Sequence, residues 1–489
     1  MRRTALIILL LATIAHAGAA SDTLRLTLDD AIVMARTRSL DAAVALDELR
    51  AAYWEYRSYK ANLLPEVKIS GTTPYLSRSY SSYQNSDGTY TFVRNNYLEG
   101  NGRISVQQNL WFTGGSISLN SSLNYLNTLS GSGNKRYMIT PVSLTLNQPL
   151  FGVNHLKWNR RIEPVRYAEA KANFLTETEE ITMSCINYFF GLLIATENVN
   201  IAKQNLANAQ KLYEVAITKR KMGKISENDL LQMRLNVLNA EADLASYESN
   251  LKTADFNLHT FLNIDDNVRI SLQLPQRLTS NKLQYDEVLE KALANNALVK
   301  NIERRRLQAD YNVANAKSAL RDINLTAQIG YSGTHSNIPA AYDNLLDNQI
   351  VNVGISIPIL DWGKRRGKVK VAESNREVTL NRIKQEMRNF HSNLFILVEQ
   401  FNKQQRKLEI AREADEIAGR RYYTNMETFM IGKISTLDLN DAQISKDQTR
   451  RNHLYELQNY WYYYYKIRSI ALWDFEHNCD INADIEKLM

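Results

Sequence analysis

Apolar and polar residues alternate with a period of two in several short parts of the chain. Because successive side chains of a strand point to opposite faces, this alternation predicts strands with one apolar and one polar face. Between the apolar positions of residues 117–125, the opposite face carries serine and asparagine. The apolar positions of these predicted strands are Ile117, Leu119, Leu123, Tyr125, Val142, Leu144, Leu146, Ile323, Leu325, Ala327, Ile329, Val353, Ile355, Ile357 and Ile359.

Two environments suit strands of this kind, and the pattern alone leaves both open. An apolar outside and a polar inside fit lipid on one face and water on the other, as in an outer-membrane barrel. A half-buried sheet of a water-soluble protein gives the same alternation. The aromatic residues that fit the interface girdles of a membrane barrel are Trp111, Phe112, Tyr75, Tyr125 and Tyr137.

Longer parts of the chain carry the apolar repeat of packed helices. Apolar residues and one tyrosine step by three and four between Val199 and Ala216, and the same steps recur between Leu231 and Ala245. A repeat of about 3.5 residues predicts coiled-coil seams. The longest predicted helices cover residues 155–221 and 363–430. At about 1.5 Å per residue, each would be about 100 Å long, which exceeds an ordinary globular domain.

The stretch Gly-Lys-Ile-Ser occurs twice, at residues 223–226 and 432–435, with the glycines 209 positions apart. Near the N-terminus, Asp29 aligns with Asp286 at a shift of 257, so the first copy carries 48 more residues (257 minus 209). We therefore predict one unit written twice, each with an opening helix (28–62 and 285–320), a strand zone, a long outgoing helix and a returning helix. Each Gly-Lys-Ile-Ser forms the tip of a helical hairpin, with glycine ending one helix and serine capping the next.

These patterns divide the chain into four parts. Residues 1–20 combine a basic start, a short apolar core and a small-residue cleavage site, which together predict a secretory signal peptide. The other predicted parts are a first repeat (21–270, with strands in 67–150 and a hairpin tip at 222–226), a second repeat (271–475, with strands in 323–360 and a tip at 431–435) and a C-terminal tail (476–489).

The number of strands limits how a barrel is built. One chain offers about four to six strands, too few to close around an open channel. An open sheet edge is not stable in lipid, so several chains must share one barrel. Three chains with four strands each give twelve. If residues 111–115 form a tight turn between two extra strands, each chain has six and three chains have eighteen.

Composition argues against several other classes of protein. The formal charge of +7 on 489 residues is a weak signal, and we expect no nucleic-acid partner. Cys185 and Cys479 lie far apart in sequence, which is not the pattern of a disulfide scaffold. The seven histidines form no metal-spaced pair or catalytic constellation, and no phosphate-binding glycine loop occurs. We therefore expect neither enzymatic activity nor a cofactor.

Taken together, these features resemble the outer-membrane efflux protein family, the TolC-like outer-membrane factors. The resemblance covers nearly the whole mature chain and rests on the duplication, the order of elements, both tips, and the segments 147–151 and 358–366. It implies a mixed α and β fold in which a homotrimer shares a twelve-stranded membrane β-barrel. A long α-helical coiled-coil tunnel then extends from the outer membrane into the periplasm.

The resemblance also implies a function and partners. The protein is expected to be the exit duct of a tripartite efflux or type I secretion system in the outer membrane, in contact with outer-membrane lipid. Its partners would be a periplasmic membrane-fusion adaptor and an inner-membrane pump of the RND or ABC type. The alternative is a structural periplasmic coiled-coil protein without a transport role, against which the alternating strands and the 26 tyrosines argue.

Two sets of candidate site residues follow from the resemblance. Family members often carry aspartates six and nine residues after the second tip glycine, here Asp438 and Asp441, which lie on one helical face. In a trimer they would form a ring of six carboxylates that favours cations. Asp438 equally suits a helix start, where a negative charge is stabilising. The periplasmic gate set is Asp438, Asp441, Asp229, Lys433 and Phe429; the adaptor-docking set is Gly223, Lys224, Ile225, Ser226, Gly432, Lys433, Ile434 and Ser435.

The second tip departs from the family pattern at its closing contacts. The type member uses a tyrosine three residues before this glycine and an arginine two residues after it. Those positions are Phe429 and Ile434 here, and Lys433 is the nearest cation. The bonds that close the tips must therefore differ, or Lys433 must substitute for the arginine.

Overall fold

A computed structural model of the protein describes residues 23–129, 134–265, 267–275, 282–356, 359–431 and 433–481. The predicted signal peptide, the second tip glycine Gly432 and the end of the predicted tail lie outside these ranges. The helices are Leu28–Arg38 (α1), Leu40–Ala61 (α2), His155–Lys221 (α3), Glu227–Leu262 (α4), Tyr285–Asn295 (α5), Ala297–Ser318 (α6), Ile338–Ala341 (α7), Lys364–Met430 (α8) and Thr436–Ala471 (α9). The strands are Thr23–Leu26 (β1), Glu66–Gln84 (β2), Tyr90–Leu110 (β3), Gly115–Thr128 (β4), Asn134–Pro149 (β5), Arg269–Leu272 (β6), Asp322–His335 (β7), Leu346–Ser356 (β8), Trp473–Asp474 (β9) and Cys479–Asp480 (β10).

The two repeats contain helices of equal length at equal spacing. α1 and α5 have 11 residues each, and α2 and α6 have 22. α3 and α8 have 67 residues each, and α4 and α9 have 36. The first two pairs begin 257 positions apart and the last two begin 209 positions apart, as the sequence alignment of the repeats predicts. The duplicated order of helices is therefore a property of the structure.

The opening helix of each repeat is broken once, whereas the sequence predicted continuous helices over 28–62 and 285–320. Ser39 follows α1 in an extended conformation, and its hydroxyl accepts a hydrogen bond from an amide of α2 at 3.1 Å. Asn296 lies 257 positions later and follows α5 in the same conformation. Its Oδ1 accepts a hydrogen bond from the amide of Leu298 at 2.8 Å. A short polar side chain that bonds to the next amides competes with a continuous helix, so both breaks have one cause.

Strands from both repeats form one antiparallel sheet, which we call the main sheet. Its strand order is β2-β3-β4-β5-β7-β8, and each adjacent pair is antiparallel. Within the described ranges the chain thus contributes six strands, so the expectation of four per chain is wrong and the six-strand alternative is confirmed. The reason is the reversal at residues 111–114, where Gly114 has a φ of +81° that other residues rarely adopt.

The chain divides into two compact units. The first contains the described residues up to Arg50, together with Lys171–Val299 and the described residues from Arg388 onward. The second contains Ala51–Ala170 and Lys300–Met387, and it includes the main sheet. None of the helices in the described ranges is both long and apolar enough to cross a lipid bilayer.

The core of the first unit is rich in aromatic residues. Phe189 and Phe190 of α3 are fully buried, and their rings meet edge to face at 5.7 Å. Burial of large side chains such as these is the main source of stability, about 1.5–3 kcal/mol for each. The aromatic residues that α9 contributes to the same core are Tyr460, Trp461, Tyr464 and Tyr465.

One buried carboxylate joins three helices of the first unit. Glu179 of α3 is fully buried, and its Oε1 accepts a hydrogen bond from Arg36 of α1 at 2.8 Å. Arg468 of α9 lies 3.4 Å from the other carboxylate oxygen. Burial raises the pKa of Glu179, while the two arginines act in the opposite direction. A charge buried in this way requires its partners, so the network fixes which helices are neighbours.

Ion pairs and aromatic stacking connect the helical segments of the second unit. Glu169 of α3 accepts hydrogen bonds from Arg304 at 2.5 Å and from Asn301 at 2.7 Å, both on α6. Tyr56 of α2 stacks on Tyr167 of α3 with ring centroids 4.8 Å apart. These contacts hold α2, α3 and α6 together beside the strands that they precede or follow.

We expect Asn296→Ala to lower the free energy of unfolding by about 1–3 kcal/mol, because a buried side chain loses two hydrogen bonds. Asn296 is 8% exposed, caps α6 and donates to the Ile470 carbonyl at 2.7 Å. Thermal denaturation of the purified protein, followed by circular dichroism, measures the effect. The matched control is Asn315→Ala, which changes an exposed asparagine of α6. Equal destabilisation by the two variants would contradict this account of the helix break.

Candidate functional site at the helical tips

A left-handed glycine ends the outgoing helix of the first hairpin. Gly223 has a φ of +70°, and the amide of Lys224 donates to the Lys219 carbonyl at 2.9 Å. This six-to-one bond closes the last turn of α3 in a Schellman motif. In the second hairpin, the amide of Lys433 donates to the Thr428 carbonyl at 3.1 Å, which is the equivalent bond. The described residues on both sides of Gly432 thus repeat the geometry of the first tip.

Both returning helices begin with the same capping box. Ser226 Oγ accepts from the amide of Asp229 at 3.1 Å, and the Asp229 carboxylate accepts from the amide of Ser226 at 3.0 Å. Ser435 and Asp438 make the equivalent bonds at 3.1 and 3.2 Å. These bonds satisfy amides at the start of each helix that otherwise lack a partner within it.

The capping boxes determine the local environment of two predicted gate residues. The hydrogen bonds from Ser226 lower the pKa of Asp229, and those from Ser435 lower the pKa of Asp438. Both carboxylates are therefore charged at neutral pH, and their charge is favourable at a helix N-terminus. The helix-start role considered for Asp438 is thus present in the structure, whatever Asp438 does in an assembly.

The second predicted aspartate of the ring is bridged within its own hairpin. Asp441 of α9 accepts a hydrogen bond from Arg421 of α8 at 2.6 Å, and both side chains are about half exposed. The equivalent positions in the first repeat are Leu212 and Gln232, which cannot form an ion pair. An exposed pair such as this contributes little to stability, at most about 1 kcal/mol. Its consequence is electrostatic, because Arg421 partly neutralises Asp441.

Phe429 is buried at the position where the type member of the family has a tyrosine. It packs against the buried residues Leu439 and Ala442 of α9 and is 9% exposed. The ammonium group of Lys219 lies 4.9 Å from the centre of its ring. The equivalent residue of the first tip, Arg220, instead pairs with a glutamate of α4 at 3.0 Å. The second tip is therefore closed by an apolar contact and the first by an exposed ion pair.

The two tips adjoin each other and line one cavity of about 530 Å³. Lys224 and Ile225 of the first tip and Ile434 and Ser435 of the second lie on its walls, together with Phe429. Two copies of one motif, 209 positions apart in sequence, thus build a single surface feature. The sequence showed that the motif is repeated but gave no indication that the copies meet.

Sequence reasoning missed a buried polar link between the two hairpins. Asn208 of α3 donates to the hydroxyl of Tyr422 on α8 at 2.9 Å. Asn205 donates to Asp447 of α9 at 2.6 Å, and Lys446 lies 3.4 Å from the same carboxylate. Burial raises the pKa of Tyr422 to about 12, so the tyrosine stays protonated. The available signal was the two asparagines beside the apolar seam of α3, where a buried amide requires a partner.

The described residues contain no group of three or more His, Cys, Asp or Glu side chains arranged to hold a metal ion. Cys185 is buried and Cys479 is exposed, and both are free thiols. Burial raises the pKa of Cys185 to about 12, which keeps this thiol protonated and unreactive. The described side chains at the tips therefore make charged and apolar contacts.

A profile of the Outer membrane efflux protein family matches residues 31–263 and 288–461, one segment in each repeat. Together these segments include most of the chain. The chain belongs to the outer membrane efflux protein family. Efflux channels of the outer membrane, and not enzymes, make up this family and its structural neighbours, as the sequence resemblance implied.

Solved channel structures share the fold of this efflux-family chain. The outer membrane channel CmeC of Campylobacter jejuni is 14% identical, with a TM-score of 0.64 over 94% of this chain and 88% of that one. VceC of Vibrio cholerae is 16% identical, with a TM-score of 0.63 over 91% and 95%. CusC is also 16% identical, with a TM-score of 0.62 over 94% and 95%. At these identities, the likeness shows the fold alone.

Two curated relatives match part of the efflux-family chain. Toxin and drug export protein A of Aggregatibacter actinomycetemcomitans is 24% identical over 227 residues, 45% of this chain and 49% of that protein. An uncharacterized protein of Haemophilus influenzae is 24% identical over 249 residues, 49% of this chain and 54% of that protein. The chain spans about half the length of the curated relatives it matches.

The lowered pKa of Asp438 predicts a pH dependence at the second tip. Because the folded-state pKa lies below the usual value, the cap is fully formed above about pH 4 and is lost as the pH falls through the lowered pKa. We expect Asp438→Ala to speed amide hydrogen exchange in the first turn of α9 at neutral pH. The difference in amide exchange rate between the variant and the wild type, corrected for intrinsic rates, should disappear in acid.

Two variants control this measurement. Asp438→Asn keeps an acceptor oxygen and should exchange at a rate between those of wild type and Asp438→Ala. Glu427→Ala removes an exposed carboxylate of α8 that takes no part in the cap, and should leave the first turn of α9 unchanged. If the difference in exchange rate between wild type and Asp438→Ala is unchanged well below pH 4, the charged carboxylate does not stabilise the first turn of α9.

Proposed function

We propose that the protein is the outer-membrane exit duct of a tripartite efflux or type I secretion system and that it acts as a homotrimer. Its main sheet lies in outer-membrane lipid, and its long helices extend into the periplasm. Substrates enter from an inner-membrane pump of the RND or ABC type through a periplasmic membrane-fusion adaptor. Family membership supports the channel role, and the shared fold supports the same division into a sheet and a helical part.

The two adjoining tips are the observation that supports docking of an adaptor. Lys224 and Lys433 are exposed, and the first lines the cavity that both tips share. The apolar part of that cavity includes Ile225, Ile434 and Phe429. Two cations beside an apolar recess suit a partner that presents an apolar side chain flanked by carboxylates. The end of an adaptor's helical hairpin can supply such a surface.

The proposed cargo includes both small molecules and polypeptides. The relative from Aggregatibacter actinomycetemcomitans is named for the export of toxin and of drugs. That name supports both classes of cargo, and it is compatible with either type of pump. The identity of the adaptor that docks at the tips would show which class of cargo the protein exports.

We also propose that Asp438 and Asp441 form a carboxylate ring at the periplasmic end of the trimer. Both side chains are exposed on α9 and lie three residues apart, so they share a face of this helix. Arg421 moderates the charge at Asp441. Three copies bring six carboxylates together, which attracts cations into the pore.

Docking at the tips is testable by site-specific photo-crosslinking in living cells. We expect photoreactive residues at positions 224 and 433 to capture a periplasmic adaptor protein, identified by mass spectrometry. Lys252 of α4 provides the matched control, because it is exposed but lies about 40 Å from Lys224 along the helix. If neither tip captures an adaptor while the protein is folded in the outer membrane, docking through Gly-Lys-Ile-Ser is excluded.

The carboxylate ring is testable in planar lipid bilayers. We expect Asp438→Asn combined with Asp441→Asn to lower the cation preference of the channel, because six charges leave the pore. Asparagine at position 438 can still accept the hydrogen bond from the Ser435 amide. Reversal potentials in a salt gradient measure this preference. The control is Asp243→Asn, which removes one negative charge at an exposed position of α4, as each of the two ring substitutions does on α9. Unchanged selectivity in the double variant would assign both aspartates to the hairpin alone.

A further inference from the structure

The 48 additional residues of the first repeat form two strands inside the main sheet. β2 and β7 each follow the second helix of their repeat, and β5 and β8 each precede a long helix. These strands are therefore the equivalent pairs of the duplication. In the described part of the second repeat, β3 and β4 have no equivalent, and they lie between β2 and β5 in the order of strands.

The inserted strands are fully integrated into the sheet. β3 pairs with β2 from Glu66 to Gln84, and with β4 from the turn at Leu110 to Thr128. The turn itself is tied to the neighbouring segment, because Asn154 donates to the Trp111 carbonyl at 2.9 Å. A second bond joins Gln148 to the Thr113 carbonyl at 3.1 Å. β3 and β4 therefore cannot leave the sheet without breaking both ladders and these anchors.

The apolar face of the sheet continues through the inserted strands. One row of directly paired residues crosses five strands with apolar side chains and ends at Gln349 on β8: Val67, Val106, Leu119, Leu144 and Ile329. The adjacent row on the opposite face is polar or glycine throughout: Lys68, Ser105, Asn120, Ser143, Gly330 and Asn348. β3 and β4 thus have the same lipid-compatible side as the strands that both repeats share.

The two edges of the sheet carry the same apolar character. In the described part of the chain, β2 and β8 each pair with a strand on one side only. Ile69 of β2 is 78% exposed, and Val351 of β8 is 74% exposed. Lipid offers no hydrogen bonds to an open edge, so each edge needs a partner strand. Six strands are also too few to close upon themselves around an open lumen.

Strand direction suits a second copy of this chain as the partner. Adjacent strands of the main sheet alternate in direction, so β2 and β8 run in opposite directions. β8 of one copy and β2 of the next therefore meet as an antiparallel pair with their apolar faces on the same side. We infer that three copies, in the trimer of the proposed function on which this inference rests, close an eighteen-stranded barrel.

The strand number sets the width of the exit. With about 4.8 Å between strands and a tilt of about 40°, eighteen strands give a backbone diameter of about 36 Å, against about 24 Å for twelve. The wider barrel leaves a lumen of roughly 25 Å after side chains of about 5 Å on each wall.

Disulfide crosslinking in intact outer membranes identifies the strand of the neighbouring copy that pairs with β8. Val353→Cys on β8 is combined with a cysteine at Val67, Ile69 or Gly71 of β2, which covers the register, in a Cys479→Ser background. The two edges of one chain are about 24 Å apart along the sheet, so any disulfide joins two chains. We expect covalent dimers and trimers on non-reducing gels. The control series pairs Val353→Cys with cysteines at Ile117, Leu119 or Leu123 of β4.

A second measurement tests the inserted strands directly. An environment-sensitive fluorophore attached to Ile104→Cys on β3 should be quenched severalfold more by nitroxide-labelled lipid than one attached to Ser105→Cys. Ile104 is 51% exposed on the apolar face, and Ser105 lies on the polar face. Equal quenching at the two positions would place β3 outside the membrane and overturn the inference.

The outcomes separate this inference from the proposed function. Disulfides in the β8–β2 series, together with stronger quenching at Ile104→Cys than at Ser105→Cys, support eighteen strands. Disulfides in the β8–β4 series, or in neither series, overturn that number. If the tips capture an adaptor while β8 links to β4, the exit-duct proposal stands and the eighteen-stranded barrel fails. If β8 links to β2 and Ile104→Cys is quenched more than Ser105→Cys while the tips capture nothing, the barrel stands and docking at the tips fails.

Discussion

Backbone hydrogen bonding is the constraint on which both parts of the molecule depend. A helix of 67 residues leaves amides and carbonyls without partners at its ends, and each hairpin reverses direction within a few residues. The left-handed Gly223, the bond from Lys224 to Lys219 and the box of Ser226 with Asp229 satisfy these groups at the first tip. The motif is repeated because the geometric requirement is repeated, and any docking role is added to that requirement.

The same constraint acts on the main sheet with a different outcome. A helical hairpin satisfies its backbone within the chain, but a sheet with two open edges does not. The apolar face, which is continuous from β2 to β7, is a second feature of the sheet that is unfavourable in water. In the proposed function, assembly supplies partner strands for the two open edges, and membrane insertion removes the apolar face from water.

The two repeats have helices of equal length, but the side chains at their tips differ. The helices match in length throughout, yet the first tip closes with the exposed pair of Arg220 and Glu227, while the second buries Phe429. Arg421 and Asp441 bridge only the second hairpin among these equivalent positions. The charge and the apolar surface at the tips are thus unevenly shared between the repeats, although their backbones follow the same course.

The sequence by itself determined the duplication, the alternating strands, the long helical seams and the capped tips, because each depends on residues close together in the chain. It left the strand number open between four and six, since a turn such as the one at Gly114 is only a local signal. Only the tertiary structure decided that the two tips share a cavity and that Asn208 meets Tyr422. Contacts between helices depend on how seams more than 200 residues apart align, and no local pattern records that alignment.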